Sequence, residues 1–260
     1  LCGHMQIRRY LKFMAKVLIQ KGREKRIEAG HPWIYDNEIS NIEGSYENGD
    51  IVDIYNWKNK FIGKGYINNN SKIRVRILTR QKEEINKDFF RKRILNAWEY
   101  RKMVVDTRSC RVIFGEADFI PGLIVDKFGD YLSLQTLSLG IEKYKNTIVD
   151  ILDEVLEPKG IYERNDVQVR ELEGLEQKKG FLKGPFDTKI EILENEIKML
   201  VDIENGQKTG YFLDQRENRA ALKPFVKGAR VLDAFSYTGG FALHAAYYGA
   251  REVTAVDISD

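Results

Sequence analysis

The residues with the clearest chemical pattern lie near the carboxyl-terminal end of the chain. Residues 230–235 (RVLDAF) have the composition of a buried parallel strand, and residues 238–240 (TGG) that of a tight turn. A helix is predicted over residues 241–248, and a second strand over 253–257. This order predicts one β-α-β unit of a doubly wound sheet, with a ligand crevice at the carboxyl ends of its strands.

Three residues of this unit are suited to binding a nucleoside. Gly239 and Gly240 allow a ligand to approach the backbone and the amino-terminal end of the helix. Asp257 is placed to accept hydrogen bonds from two ribose hydroxyls. The G-x-G-x-x-G fingerprint is absent, and GQKTG at 206–210 lacks the spaced glycine of a Walker A motif. The pattern favours a nucleoside without phosphate, most commonly S-adenosylmethionine; the alternatives are a purely structural unit, or NAD or another nucleotide.

The upstream residues must position this crevice. Residues 15–80 contain the hairpin-type dipeptide NG at 48–49 and short runs of strand composition at 51–55, 61–67 and 73–78. In the last run Arg74 and Arg76 share one face, which predicts a small β-barrel or sandwich with a basic outer face.

A mixed α+β region is predicted next. Its pattern indicates two helices and two hairpins, at 86–105, 144–156, 123–135 and 190–201. A further helix is predicted over residues 216–225, ended by Pro224.

Composition restricts the class of protein. Hydrophobic residues make up 43% of the 260 residues and charged residues 31%, which excludes wholesale disorder. No stretch is apolar for long enough to span a membrane, and two cysteines build neither a disulfide framework nor a multi-cysteine zinc site. We therefore expect a cytoplasmic protein without a metal site. Residues 1–13 have the character of a leader or cloning remnant, with Met14 as the expected natural start.

The net charge is +3, but basic and acidic residues are unevenly distributed along the chain. Residues 14–113 hold 21 basic against 13 acidic residues, whereas residues 114–205 hold 11 against 20. This division suggests a polyanionic partner that contacts mainly the amino-terminal part, although two ordinary solvated surfaces would give the same counts.

Three motifs together resemble one known family. They are residues 206–216 (GQKTGYFLDQR) with 231–240 (VLDAFSYTGG), residues 21–39, which include GHPWIYDNEI, and residues 115–126 (GEADFIPGLIVD). They resemble the S-adenosylmethionine-dependent 23S rRNA cytosine-C5 methyltransferases, and the resemblance extends from Met14 to Asp260. It implies mixed α/β and α+β architecture: a PUA-like β-barrel at 14–82, a central α+β domain at 83–205 and part of a Rossmann-like methyltransferase sheet at 206–260.

The resemblance also implies which residues contact S-adenosylmethionine. The matching positions are Lys208, Thr209, Asp214, Gln215, Arg216, Asp233, Phe235, Ser236, Gly239, Gly240 and Asp257. For Asp214 and Arg216, a helix cap and a surface ion pair are the alternative roles.

Ribosomal RNA is the partner that the resemblance implies. The cationic candidates for binding it are Lys21, Arg23, Lys25, Arg26, Arg74 and Arg76. Trp33 is expected to pack in the core rather than to stack on a base, and His31 to cap a turn.

In this family a Cys thiolate attacks C6 of cytosine so that C5 can accept the methyl group. The resemblance places that Cys on later strands of the sheet, so the catalytic residues are expected beyond Asp260. Cys110 matches no catalytic position and is expected to be a packed, idle thiol. We expect this chain not to turn over alone, and to form a homodimer or otherwise self-associate through the exposed edges of its two-stranded sheet. The alternatives are a guanine-nitrogen rRNA methyltransferase and a non-catalytic RNA-binding module.

Overall fold

The computed structural model describes residues 14–258, so the expected leader lies outside the described residues. Those residues form one six-stranded sheet, one five-stranded sheet and two two-stranded sheets. No helix in this range combines the length and the apolar run that crossing a bilayer requires.

The amino-terminal sheet contains the predicted strands. Its strands and one helix are β1 (Lys16–Ile19), α1 (Glu24–Glu28), β2 (Trp33–Ile34), β3 (Ile39–Glu43), β4 (Ile51–Tyr55), β5 (Phe61–Ile67) and β6 (Val75–Thr79). The spatial order is β2-β6-β5-β4-β1-β3. Alternation in β4 places Val52 and Ile54 in the core, fully buried among aliphatic side chains from the neighbouring strands.

The dipeptide Asn48-Gly49 does not form the predicted hairpin. Strands β3 and β4, which flank it, are not neighbours: β1 lies between them, antiparallel to β3 and parallel to β4. Gly49 does adopt a left-handed conformation (φ 86°), and its N–H donates to the carbonyl of Ile67 at 2.6 Å. The local turn was predicted correctly, but the strand pairing depends on β1, which lies far away in sequence.

The central region has a five-stranded sheet covered by helices. Its elements are α2 (Lys87–Val104), β7 (Ser109–Phe114), β8 (Leu123–Phe128), β9 (Tyr131–Thr136), α3 (Leu139–Lys143), α4 (Lys145–Leu156), β10 (Gly160–Asn165) and β11 (Lys178–Lys183). The strand order is β11-β10-β9-β8-β7, and the predicted β8-β9 hairpin is confirmed. Asn86 caps α2 by accepting a 3.1 Å hydrogen bond from the Phe89 N–H, which agrees with the predicted helix.

The second predicted hairpin is also present. Strands β12 (Lys189–Glu194) and β13 (Ile197–Asp202) pair in antiparallel register. Their apolar face packs with Phe128 and Tyr162 of the central sheet and with Tyr211 of the segment that follows. The hairpin therefore connects the central sheet to the carboxyl-terminal unit.

The carboxyl-terminal unit has the predicted β-α-β order. It contains α5 (Arg216–Ala220), α6 (Lys223–Val226), β14 (Arg230–Ala234), α7 (Gly240–Tyr247) and β15 (Glu252–Val256), with β14 and β15 parallel. The predicted helix at 216–225 is divided into α5 and α6, and Pro224 lies in the first turn of α6, where a helix does not need its N–H.

The prediction that β14 is buried is wrong. Leu232 is 68% exposed and Val256 is 53% exposed. Within residues 14–258 these two strands pair only with each other, while α7 packs against them. The predicted exposed edges are thus present, and self-association remains a prediction.

Several polar contacts join the amino-terminal sheet to the central region, and two of them involve residues singled out in the sequence. The Trp33 Nε1–H donates to Glu116 at 2.6 Å, and Arg76 Nη2 donates to Glu173 at 2.7 Å. Arg76 is only 8% exposed, because the central region covers the face of β6 that we predicted to be a basic outer surface. That prediction is wrong for β6, where all five residues are buried.

Candidate functional site

The loop after β14 is held in an unusual conformation. Phe235 and Tyr237 have positive φ angles of 63° and 51°, which cost non-glycine residues roughly 1–3 kcal/mol each. Asp257 lies directly after β15, and its Oδ2 accepts a 2.7 Å hydrogen bond from the Tyr237 N–H. The carboxylate of one strand end therefore fixes the loop that follows the neighbouring strand.

A second carboxylate fixes the start of α7. Asp233 Oδ2 accepts a 2.9 Å hydrogen bond from the Ala242 N–H, one of the donors that a helix leaves unpaired in its first turn. Gly239 precedes the helix at φ 72°, in the left-handed region where glycine is unstrained. Asp233 and Gly239 therefore shape the turn rather than line the crevice beside it.

A crevice of about 510 Å³ lies against this loop. Of the predicted cofactor residues, it is lined by Lys208, Asp214, Gln215, Phe235, Ser236, Gly240 and Asp257. Sequence reasoning missed further lining residues, which are Gln207, Tyr211, Phe212, Arg219, Tyr237, Thr238, Phe241 and Ile258. Several of these are the immediate neighbours of predicted residues, and their aromatic composition was the signal available.

The segment 206–215 covers one side of the crevice. The Gln207 N–H donates to the Tyr237 hydroxyl at 2.8 Å, which joins this segment to the loop after β14. A side chain at Gly206 would lie only 2.4 Å from the Gly210 carbonyl oxygen, so the tight turn requires glycine there.

An ion pair stands at the mouth of the crevice. Lys208 Nζ lies 3.0 Å from Asp214 Oδ1 and 4.3 Å from the centre of the Phe212 ring. Burial alone would raise the pKa of Asp214, but hydrogen bonding and the charge of Lys208 outweigh it and hold the pKa below its ordinary value. Asp214 is therefore ionised at neutral pH, and this pairing agrees with the alternative role given to it above.

Two predicted cofactor residues point away from the crevice. The Thr209 hydroxyl is fully buried and donates to Asp126 Oδ2, whose carboxylate also accepts from Arg111 at 2.8 Å. The Arg216 guanidinium donates to the carbonyls of Ser109 and Asp106. Both residues attach the covering segment to the central sheet and lie outside the lining of the crevice.

Arg216 lines a second cavity, of about 500 Å³, between the covering segment and the central sheet. Cys110 also lines it but is only 4% exposed, and burial raises the pKa of its thiol to about 11. The prediction of a packed thiol is confirmed, because a protonated, buried thiol is a poor nucleophile.

A buried polar cluster that the sequence did not reveal supports α7. Glu194, at the end of β12, accepts hydrogen bonds from Arg219 Nε at 2.7 Å and from the Tyr211 hydroxyl at 3.1 Å. His244 Nδ1–H donates to the Gly240 carbonyl at 2.7 Å, and burial lowers the pKa of this imidazole, which keeps it neutral. A side chain at Gly240 would press on Arg219 at 3.3 Å, so the glycine permits this packing.

Comparison with known proteins agrees with this arrangement. Residues 17–80 match the family described as a PUA-like domain, and residues 176–260 match the family described as S-adenosylmethionine-dependent methyltransferase. The chain joins a PUA-like domain to a methyltransferase fold. The predicted mixed α/β and α+β fold is thereby confirmed.

Curated relatives align over nearly the whole chain. Ribosomal RNA large subunit methyltransferase I of Alteromonas mediterranea is 40% identical over 249 residues, which are 94% of this chain and 63% of the relative. The proteins of that name from Vibrio vulnificus and Aeromonas salmonicida are each 41% identical, with the same coverage. The chain therefore spans less than two thirds of the length of these relatives.

Solved structures share the fold over nearly the whole chain. A Streptococcus mutans protein described as a SAM-dependent methyltransferase is 25% identical, with a TM-score of 0.79, over 95% of this chain and 64% of its own. A structure described as a methyltransferase complexed with SAH has a TM-score of 0.81 at 25% identity, over 95% of this chain and 63% of its own.

The predicted RNA-binding residues of the PUA-like domain fall into two groups. Lys21, Arg23 and Lys25 are exposed, and Lys21 lies 5.0 Å from the ring of Trp57. The other three are ion-paired, with Arg26 bound to Glu38, Arg74 to Asp36 and Arg76 to Glu173. The charges of these three arginines are neutralised within the protein, so they are less suited to binding phosphates than the exposed cations.

Of two aromatic residues of this domain, His31 has the expected role, whereas Trp33 lies at an interface and not in the core as expected. Trp33 is half-buried and bonded to Glu116, so it packs at the interface with the central region instead of offering a free ring. His31 Nδ1 accepts a 3.1 Å hydrogen bond from the Trp33 N–H, which caps the turn before β2.

Proposed function

We propose that the crevice beside Asp257 binds S-adenosylmethionine and that the protein methylates ribosomal RNA. The observation that carries the proposal is the position of Phe235 and Asp257 directly after two adjacent parallel strands, both lining one crevice together with Gly240 at the start of α7. Crevices at this position in α/β sheets bind nucleoside ligands, and a carboxylate after the second strand suits ribose hydroxyls.

The crevice fits this cofactor in size and chemistry. Its volume of about 510 Å³ lies within the range of small-molecule sites. Phe212, Phe235 and Tyr237 present aromatic surface for a flat base or a sulfonium, while a glycine-rich pyrophosphate cradle is absent from the loop 235–240. S-adenosylmethionine supplies a methyl group made electrophilic by its sulfonium.

Residues that line the crevice bind and orient this ligand. Asp257 accepts hydrogen bonds from the ribose hydroxyls, while Gly240 leaves the backbone bare where the ligand approaches. Lys208, Asp214 and Gln215 contact it from the covering segment, and Ser236 from the loop. Thr209, Arg216, Asp233 and Gly239 hold the surrounding backbone without touching the ligand.

Ribosomal RNA is proposed as substrate because the relatives at 40–41% identity are named ribosomal RNA large subunit methyltransferase I. The PUA-like domain and its exposed cations support an RNA partner. Within the RNA we propose cytosine C5 as the target, on the resemblance of residues 206–216 and 231–240 to cytosine-C5 enzymes.

Attack on C6 of cytosine requires a thiolate. Cys110 does not supply it, because this thiol is buried and its pKa is raised to about 11. Methylation of a guanine nitrogen, which requires no thiolate, is the alternative that the nucleoside analysis below distinguishes.

Two measurements test the proposal. Calorimetric titration with S-adenosylmethionine, its demethylated product and NAD should show binding of the first two only; binding of NAD alone would contradict the proposal. Mass spectrometry of nucleosides from large-subunit rRNA, incubated with the cofactor and a form of the protein as long as the curated relatives, then identifies the target. 5-Methylcytidine supports cytosine C5, and a methylguanosine supports the alternative.

A further inference from the structure

A groove separate from the cofactor crevice lies between the PUA-like domain and the central region. It has a volume of about 770 Å³ and is walled by the end of β6, one face of α2 and the loop at 117–119. None of its lining residues also lines the cofactor crevice. We name it the α2 groove.

Three cations of the α2 groove have no acidic partner among residues 14–258. Arg80 donates to the His31 carbonyl at 3.2 Å, Arg93 donates to the Phe119 carbonyl at 2.9 Å, and Lys92 is exposed. Burial lowers the pKa of each of these arginines below its ordinary value, and no ion pair outweighs the lost hydration. In this respect they differ from Arg26, Arg74 and Arg76, each of which is ion-paired with a carboxylate of the protein.

The acidic residues of the α2 groove are already engaged. Asp118 accepts two hydrogen bonds from Arg101, at 2.8 and 2.6 Å. Glu83 accepts from the Thr79 hydroxyl and lies near enough to Arg93 to act on its pKa without offsetting burial. Four basic residues therefore face two acidic residues, which leaves an excess of positive charge in a concave site.

Exposed aromatic rings stand beside these cations. Phe119 is 68% exposed, ends the short 3-10 turn at 115–118 in a left-handed conformation (φ 60°), and lines the groove. The Arg93 guanidinium lies 5.6 Å from its ring centre. Tyr100, on α2, is 53% exposed and lines the same groove.

We propose that the α2 groove binds a single-stranded segment of RNA, with phosphates on Arg80, Lys92 and Arg93 and an unstacked base on Phe119. Proteins bind single-stranded nucleic acid by placing cations along the sugar-phosphate backbone and aromatic rings against unpaired bases. A duplex offers no such bases, because its bases stay stacked inside the helix. The choice of RNA rests on the proposed function; the location of the groove does not.

The test measures fluorescence anisotropy of a labelled single-stranded RNA of about 12 nucleotides. Substitution of Arg80, Lys92 and Arg93 by alanine should weaken binding at least tenfold or so and lower the salt dependence by about two ion equivalents. As single variants on α2, Lys92→Ala in the groove should weaken binding, whereas Lys102→Ala, which also removes one positive charge but lies outside the groove, should bind like the unmodified protein.

A second pair of variants tests stacking. Phe119→Ala should weaken binding by roughly tenfold. Phe225→Ala, which removes a ring that is 78% exposed and outside the groove, should leave binding unchanged. Circular dichroism and S-adenosylmethionine titration of each variant show whether the fold is retained.

Unchanged binding in the alanine variants, or no binding by the unmodified protein at low salt, would overturn the α2 groove as an RNA site. Competition by polyglutamate as effective as by RNA, with no effect of Phe119→Ala, would assign it instead to an acidic protein. If the unmodified protein binds RNA in the α2 groove but does not bind S-adenosylmethionine, the proposed function is rejected and this inference is kept.

Discussion

Glu194 Oε1 accepts a 2.7 Å hydrogen bond from Arg219 Nε, and both side chains are almost completely buried. The two residues come from different parts of the fold, Glu194 from the β12-β13 hairpin and Arg219 from α5. Arg219 also lines the cofactor crevice, so the central region positions a wall of the crevice through this pair.

Glu194→Ala should destabilise the protein by about 3 kcal/mol, because it leaves the buried Arg219 guanidinium without its carboxylate. Glu191→Ala is the matched control on the same strand. Because Glu191 is exposed, its loss should change the free energy of unfolding by less than about 0.5 kcal/mol. Urea unfolding measures both. Equal losses would show that the buried pair does not stabilise the fold.

Thr209→Val should weaken S-adenosylmethionine binding although Thr209 does not line the crevice. Its hydroxyl donates to the buried Asp126 carboxylate, and losing a hydrogen bond to a charged group costs about 1.5–3 kcal/mol. Thr209→Ser keeps the donor and should restore affinity, as measured by calorimetry. If the serine variant is as impaired as the valine variant, packing and not the hydrogen bond is the cause.

Stability should fall in acid through Glu142. Burial would raise its pKa, but hydrogen bonds from Lys145, Thr136 and Arg170 outweigh it and lower the pKa from 4.5 to about 2. A lowered folded-state pKa contributes stability above pH 4.5 that is lost as the pH falls toward 2. Glu142→Gln should remove about 2 kcal/mol of the stability change between pH 7 and pH 3. Urea unfolding curves that keep the full acid dependence in this variant would contradict the assignment.

Cys110 should resist alkylation in the folded protein. Its raised pKa and burial leave very little accessible thiolate at neutral pH. In a Cys2→Ser variant, which removes the other thiol, iodoacetamide should react with Cys110 at least tenfold or so more slowly in buffer than in urea. Comparable rates, followed by mass spectrometry, would mean that the thiol is accessible.

Local patterns predicted the elements and the position of the crevice. The α2 helix, the β8-β9 and β12-β13 hairpins and the β-α-β order depend on periodicity, caps and turns within short windows. Asp257 and the loop after β14 could be placed together because the carboxyl ends of a parallel pair of strands meet at one edge. The division between α5 and α6 was missed because Pro224 suits a helix start as well as a helix end.

Contacts between distant segments could not be predicted from one sequence. Alternation in β6 gave Arg76 a solvent face, but the central region covers that face and supplies Glu173 as partner. The Glu194 cluster joins three elements far apart in sequence, and the Thr209–Asp126 bond joins residues 83 positions apart. Such contacts depend on how the sheets pack, which composition and spacing do not encode.

The most direct test of the central claim is calorimetric titration of S-adenosylmethionine into the unmodified protein and two variants. Asp257→Asn should reduce affinity by roughly tenfold or more, because the amide cannot accept two ribose hydrogen bonds as a carboxylate does. Asp150→Asn, an exposed position on α4, should bind like the unmodified protein. Equal affinity in all three would contradict the assignment of the crevice.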